Sequence, residues 1–192
     1  MKIAIFAAVP EEVDHLSDIV NFTGIGRENT TRKALDFLKR RQNEDFIVLN
    51  VGTVGSHTFP VGTILSIDEI SSAGMQFCDV PMRLHKLETP AAAQLPSTTL
   101  FSSDSFVSPR VYTSIFLEDV KKKVGCFDME SSALFSVMDF YGKKYVSYKI
   151  VSDNLDVTIA VWKQRVADLS KKLAQFLETV FGELGEVEFL VD

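Results

Sequence analysis

Cys126-Phe127-Asp128-Met129-Glu130-Ser131-Ser132-Ala133, followed further along by Val151-Ser152-Asp153-Asn154, are the two stretches on which the reading of this chain turns. The first opens an apolar helix with an acidic residue, and the second ends a β-branched run with another. If that helix packs beside that strand, both carboxyl groups reach one pocket rim, where open α/β sheets place their ligands.

Working outward, Tyr145–Val151 reads as the strand that delivers Asp153, and Met129–Tyr141 as the helix before it. Lys2–Ala8 is an apolar run free of Gly and Pro, as expected of a strand buried on both faces. Pro10, Glu11 and Glu12 suit the first turn of a short helix reaching Ile19, since Pro fits the first helical position and acids favour the positive end of the dipole. Ile19–Thr23 reads as a second strand closed by Gly24-Ile25-Gly26. A helix over Asn29–Arg41 follows, with Ala34, Leu35, Phe37 and Leu38 as its apolar face. Phe46–Asn50 is a buried strand ending in the turn Val51-Gly52-Thr53-Val54-Gly55-Ser56, and Gly62–Ile70 alternates as an exposed or edge strand would. Leu100–Ser105 is a further short strand, and Glu118–Val124 precedes the acidic helix. Val161–Phe181 is a final helix with Trp162, Val166, Leu169, Leu173, Phe176, Leu177 and Val180 on one stripe. Only Ser71–Leu95 resists reading, and its length predicts unrecognised structure or packing on another subunit. Strands alternating with helices predict an α/β layer fold with a mixed, mainly parallel sheet.

The 192 residues predict one domain over 1–192, large enough for a substantial core. A hydrophobic fraction of 46% excludes a disordered or fibrous chain. Net charge is −6, and the basic triplets Lys121-Lys122-Lys123 and Lys39-Arg40-Arg41 read as solvated helix ends, which argues against a nucleic-acid partner. Cys78 and Cys126 are the only cysteines and stand in apolar company, so they read as buried free thiols. His15, His57 and His85 are too scattered for metal-ligand spacing, and no metal or organic cofactor is implied. The apolar run Ile3–Val9 is too short to span a membrane and lacks a small-residue cleavage site, so no membrane partner and a cytoplasmic location are expected.

Each residue with chemical promise also has a plain structural reading. Gly24-Ile25-Gly26 and Gly52-Thr53-Val54-Gly55 follow apolar strands and could bring backbone N–H groups to a ligand, or could simply be tight turns. Neither carries the dinucleotide or P-loop glycine pattern. Glu12 follows the first strand at the ligand-binding edge, yet equally suits a dipole-complementing acid. Glu130 in an apolar helix is either exposed or in contact with a ligand. Asp153 ends a buried strand, with an Asx turn as its alternative. Phe106, after Ser103-Asp104-Ser105, stacks on a flat ring or joins the core. Their joint occurrence raises the functional readings together.

On these residues the chain resembles the nucleoside phosphorylase/nucleosidase superfamily, most of all the 5′-methylthioadenosine/S-adenosylhomocysteine nucleosidases. Matching segments run from end to end: Met1–Leu16 with its Glu-Glu-Val, Thr23–Gly26, Leu49–Ser56, Gly62–Ile67, Ser102–Val107, Asp128–Ala133 and Val151–Asp153. The acidic-Met-Glu-x-x-Ala helix followed by Ser-Asp is the specific pair. The resemblance implies a three-layer α/β/α fold, cleavage of the N-ribosyl bond of a purine nucleoside, and a homodimer. It implies that Asp153 protonates or hydrogen-bonds purine N7, supported by Ser152, and that Glu12 activates the attacking water. It further implies that Glu130 holds the ribose hydroxyls, Met129 lies under the sugar, and Phe106 stacks on the base, whose edge pairs with the Val107 backbone. Val9 would line the ribose and 5′ region, and Thr53 of the glycine-rich turn joins the substrate-binding set. Such a reaction passes through an oxocarbenium-like transition state, which asks for a proton donor over the base and carboxylates near the sugar.

Phosphorylases of the superfamily hold phosphate with arginines where this chain has Glu12 and Asn50, so water is the better nucleophile; Arg27 remains a phosphate candidate but more simply serves the Gly24–Gly26 turn. The chain is shorter than typical nucleosidases between Leu16 and Thr23 and within Ser71–Pro96. Pro10 replaces an acid, and Met75, Phe77 and Val80 are candidate interface residues. The alternatives are a phosphate-dependent phosphorylase, an aminofutalosine-type hydrolase, and a nucleoside-binding protein without turnover.

Overall fold

A computed structural model describes residues 1–72, 82–108, 111–155 and 158–192. Met75, Phe77, Cys78 and Val80 lie outside the described residues. The first strand, β1 (Lys2–Ala7), runs through the interior with Ile3, Ile5 and Ala7 on one face and Ala4 and Phe6 on the other. Pro10–Glu12 and Asp14–Ile19 follow as two 3-10 turns in place of the expected short helix, with Pro10 opening the first. Next come β2 (Val20–Phe22) and α1 (Arg27–Arg41). Ala34, Phe37 and Leu38 bury the inner face of α1, whereas Leu35 is 37% exposed and does not belong to it.

The glycine-rich stretch after Asn50 is a strand rather than a turn. β3 (Ile47–Gly55) and β8 (Lys144–Asp153) pair in parallel along their whole length, with one register shift at Val54/Gly55, so the ladder carries the glycines with it. β4 (Ile64–Ser72) was expected at an edge but pairs with β8 antiparallel and with β6 (Ser97–Ser102) in parallel, burying Leu65, Ile67 and Ile70. β5 (Met82–Arg83) and α2 (Pro90–Ala93) lie within the stretch that periodicity left unread. Then follow α3 (Ser114–Lys121), β7 (Cys126–Asp128), α4 (Ser131–Phe140), α5 (Ile159–Leu184) and β9 (Glu188–Phe189).

The resulting mixed sheet is mainly parallel: β1 pairs in parallel with β2, β3 and β9, and β6 with β7, while β3–β7 and β4–β5 are antiparallel. Alternation along the strands divides the interior into two large clusters. One packs Ala4, Phe6, Val48 and Tyr145 against α1 and α4; the other packs Ile3, Ile5, Leu49, Val146 and Tyr148 against α2 and α5. A smaller cluster of Phe101, Val107, Leu117, Val120, Phe127 and Leu155 holds α3 beside the cleft. Cys126 is a buried free thiol, and desolvation pushes its pKa up and so disfavours the thiolate. Among the described residues, no helix is long and apolar enough to cross a membrane.

Candidate active site

The carboxyl ends of β3, β7 and β8 and the segments following β1, β2 and β6 open on one cleft, as expected for ligand sites in α/β sheets. Val9, Glu12, Thr53, Phe106, Val107, Met129, Glu130, Ser152 and Asp153 all line it, so the structure brings together every site residue expected from the sequence. Apolar side chains dominate the walls and four carboxyl groups, those of Glu12, Asp128, Glu130 and Asp153, punctuate them, the composition of a small-molecule pocket.

Glu12 lies at the end of the first 3-10 turn and is buried. Three donors converge on it. Oε1 accepts from the Thr53 backbone N–H at 2.7 Å and the Thr53 hydroxyl at 2.6 Å, and Oε2 accepts from the Ala8 N–H at 3.2 Å. Gly52, at φ +142°, faces this carboxyl group with no side chain of its own.

Asp153 ends β8 and is buried. Its Oδ1 accepts from the Leu155 N–H at 2.9 Å, and its Oδ2 lies 2.8 Å from the Ser152 hydroxyl. Leu155 is held at φ +72°, a costly conformation for a branched residue, which turns its N–H back onto the carboxyl group. Gly55 makes room on the other side.

Glu130 precedes α4 as its N-cap residue and does not lie within the helix. The helix start is set by Asp128 instead, whose carboxylate accepts from the Ser131 backbone N–H at 3.2 Å and from the Ser131 hydroxyl. This frees the Glu130 side chain to cross to the α1 start, where Oε1 accepts the Gly26 N–H at 2.7 Å. Desolvation, then the nearby Asp128 charge, pushes the Glu130 carboxyl up to about 8, against the pull of the Gly26 N–H. Asp128 itself is buried and ion-paired with Lys149 at 3.2 Å.

Arg27 pairs with the exposed Asp104 at 3.0 Å, linking α1 to the segment that carries Phe106 and Val107. Asn50 is buried, with its side-chain amide 2.9 Å from the Ser131 hydroxyl oxygen. Trp162, Ile159, Leu155 and Asp128 also line the cleft and were not anticipated. Helical periodicity had put Trp162 on the core stripe of the last helix, but it lies outside the large cluster that α5 packs into. Its indole N–H donates to the Thr53 hydroxyl at 3.1 Å. An indole needs a partner for its N–H, and that need was the available signal.

The chain matches no protein-family model and no curated protein. Solved structures do resemble it. A 5′-methylthioadenosine/S-adenosylhomocysteine nucleosidase from S. pneumoniae, with a transition-state inhibitor, superposes with a TM-score of 0.77 at 16% identity, covering 96% of this chain and 100% of that one. An S-adenosylhomocysteine nucleosidase from Streptococcus pyogenes, in complex with 5-methylthiotubericidin, gives 0.76 at 17% identity, covering 97% and 98%. The futalosine hydrolase of Helicobacter pylori gives 0.73 at 16% identity, covering 94% and 97%. The chain has the fold of these nucleosidases.

Proposed function

We propose that this chain hydrolyses the N-ribosyl bond of a purine nucleoside, 5′-methylthioadenosine, S-adenosylhomocysteine or a related 5′-modified adenosine, and releases adenine. The observation that carries the reading is the meeting of Glu12, Glu130 and Asp153 in one apolar cleft, each held by its own backbone donor. In this reading Phe106 stacks on the purine, the Val107 backbone pairs with its edge, and Asp153 with Ser152 delivers a proton or hydrogen bond to N7. Electrons from the breaking bond then flow into a stabilised leaving group, and positive charge grows on the sugar. Glu130 takes the ribose hydroxyls above Met129, Val9 lines the 5′ side, and Thr53 and Glu12 orient a water toward the anomeric carbon.

Water rather than phosphate is the nucleophile. Glu12 stands where, by the resemblance, phosphorylases carry a phosphate-binding arginine, so its carboxyl group would repel a phosphate dianion, and Arg27 pairs with Asp104. The likeness to futalosine hydrolase favours a second substrate for the same chemistry, an aminofutalosine-like nucleoside. The helices that pack on the two clusters of the sheet support a three-layer α/β/α domain spanning 1–192. A homodimer belongs to the same reading, supported by the exposure of Phe140, Tyr141 and Leu35 (84%, 37% and 37%).

The test is release of adenine from 5′-methylthioadenosine with and without phosphate. Phosphate-independent release yielding free 5-methylthioribose is the expected result. Release that requires phosphate would move the chain to the phosphorylases. No release from this substrate, from S-adenosylhomocysteine or from aminofutalosine would leave a binding protein.

A further inference from the structure

The donors around Glu12 extend one residue further than the reaction requires. Trp162, in the first turn of α5, donates its indole N–H to the Thr53 hydroxyl at 3.1 Å, and that hydroxyl lies 2.6 Å from Glu12 Oε1. The direction of this chain of bonds is fixed by chemistry. An indole nitrogen donates and cannot accept, so the Thr53 oxygen must be the acceptor of that bond. A threonine hydroxyl has a single hydrogen, and with its oxygen occupied by Trp162 that hydrogen turns to Glu12.

The Thr53 backbone N–H reaches the same Oε1 at 2.7 Å, and the Ala8 N–H holds Oε2. The carboxyl group of this cleft-lining residue is therefore clamped from the β1, β3 and α5 sides, with Oε1 accepting twice and Oε2 left with the one free acceptor position. Trp162 is half-buried beside the cleft, and Thr158 caps its helix by accepting from the Val161 N–H. The indole is thus carried on an anchored turn rather than on a free end.

We propose that Trp162 is a positioning residue: through the Thr53 hydroxyl, its indole N–H sets the orientation in which Glu12 meets the attacking water. This rests on the hydrolase reading of the same site. Chains of hydrogen bonds polarise one another, and a donor fixed before the reaction costs no reorganisation during it. The benefit belongs to the transition state, where the water loses its proton, and not to ground-state binding. It should therefore be read in kcat rather than KM.

A double-mutant cycle on nucleoside hydrolysis tests this. Trp162→Phe keeps an aromatic ring and removes only the donor, while Thr53→Val removes the middle of the relay. Trp162→Phe is expected to lower kcat about three- to tenfold, the worth of one neutral hydrogen bond, with KM within about twofold. In the Thr53→Val background, Trp162→Phe should cost nothing more. An equal factor in both backgrounds, or a rise in KM with kcat unchanged, would overturn the relay and make Trp162 a wall of the pocket.

Trp162 is the only tryptophan, so the wild-type protein shows a single indole N–H resonance that reads the bond without any turnover. Thr53→Val should move that resonance upfield and speed its exchange with solvent; an unmoved signal would overturn the relay. A wild-type protein that releases no base would overturn the hydrolase reading, while the indole signal would still report whether the bond exists. The two failures are thereby separated.

Discussion

Gly52 and Glu12 occupy each other's space: a Cβ on Gly52 would lie 2.9 Å from Glu12 Oε2 and 3.0 Å from Oε1. Gly55 stands in the same relation to Asp153, where a Cβ would meet Oδ1 at 3.0 Å and Leu155 Cδ2 at 2.6 Å. The glycine-rich stretch of β3 is thus the surface against which both acids are seated, and not a phosphate cradle.

Gly52→Ala should therefore act on turnover before it acts on folding. The new methyl displaces the Glu12 carboxyl group, and φ +142° at residue 52 adds backbone strain. A shift approaching an ångström at a reacting group costs about a hundredfold. The expected result is a fall in kcat of that order, with unfolding stability lowered by about 1–3 kcal/mol. Wild-type turnover in this variant would show that Glu12 does not need its present seat.

Asp153→Asn isolates the proton at the base. Asparagine still offers an oxygen to the Leu155 N–H, so the strained turn at Leu155 is retained and the melting temperature should stay within a few degrees. Turnover should drop by about 10²–10⁴. Activity within a few-fold of the parent would remove Asp153 from its assigned role. Glu12→Gln is the companion test, in which nucleoside binding should survive while hydrolysis is suppressed.

The strands most fully buried were legible because two-faced apolar runs leave little choice of partner: Lys2–Ala7 and Lys144–Asp153 fall where the hydrophobicity puts them. The errors have physical causes. Gly52 and Gly55 look like a turn locally, but a parallel ladder to β8 holds them extended. The helix expected from Met129 starts two residues later, at Ser131, because the carboxylate of Asp128, at the end of a strand too short to show in the pattern, accepts the Ser131 N–H. Trp162 has the right spacing for the core stripe, and only its polar N–H betrays that it faces the cleft. The Asp128–Lys149 pair was invisible, since its partners stand on β7 and β8, which follow one another in the chain but do not pair in the sheet.

The raised Glu130 carboxyl gives the free protein a distinctive pH dependence. Its folded value of about 8 lies above the ordinary 4.5, so between these pH values the folded state holds a proton that the unfolded state has lost. Stability from this group is therefore full below the lower value and declines as pH rises through the window. Glu130→Gln should flatten that decline, measured as urea unfolding from pH 5 to pH 8.5. Ribose hydroxyls that donate to the ionised form would also make nucleoside binding release a proton, so affinity should tighten with pH up to about 8. Parallel stability curves for the two proteins would refute the shift.

Lys149 and Asp128 form the remaining test, of stability rather than turnover. Their side chains are 3% and 2% exposed, so neither charge has water to fall back on. Lys149→Met leaves the Asp128 carboxyl group at the cleft wall without its ion-pair partner, which should cost about 3–5 kcal/mol. The Ser102 hydroxyl at 2.7 Å and the Ser131 N–H would still hydrogen-bond that carboxylate, but neither carries a compensating charge. Replacing Asp128 by Asn in the same background removes the stranded charge and keeps an acceptor for the serine donors. The double variant Lys149→Met/Asp128→Asn should therefore be more stable than Lys149→Met alone, although it carries one more substitution. Urea unfolding of the three proteins decides it: a double variant weaker than the single would mean that the charge of Asp128 serves the α4 start even without its lysine.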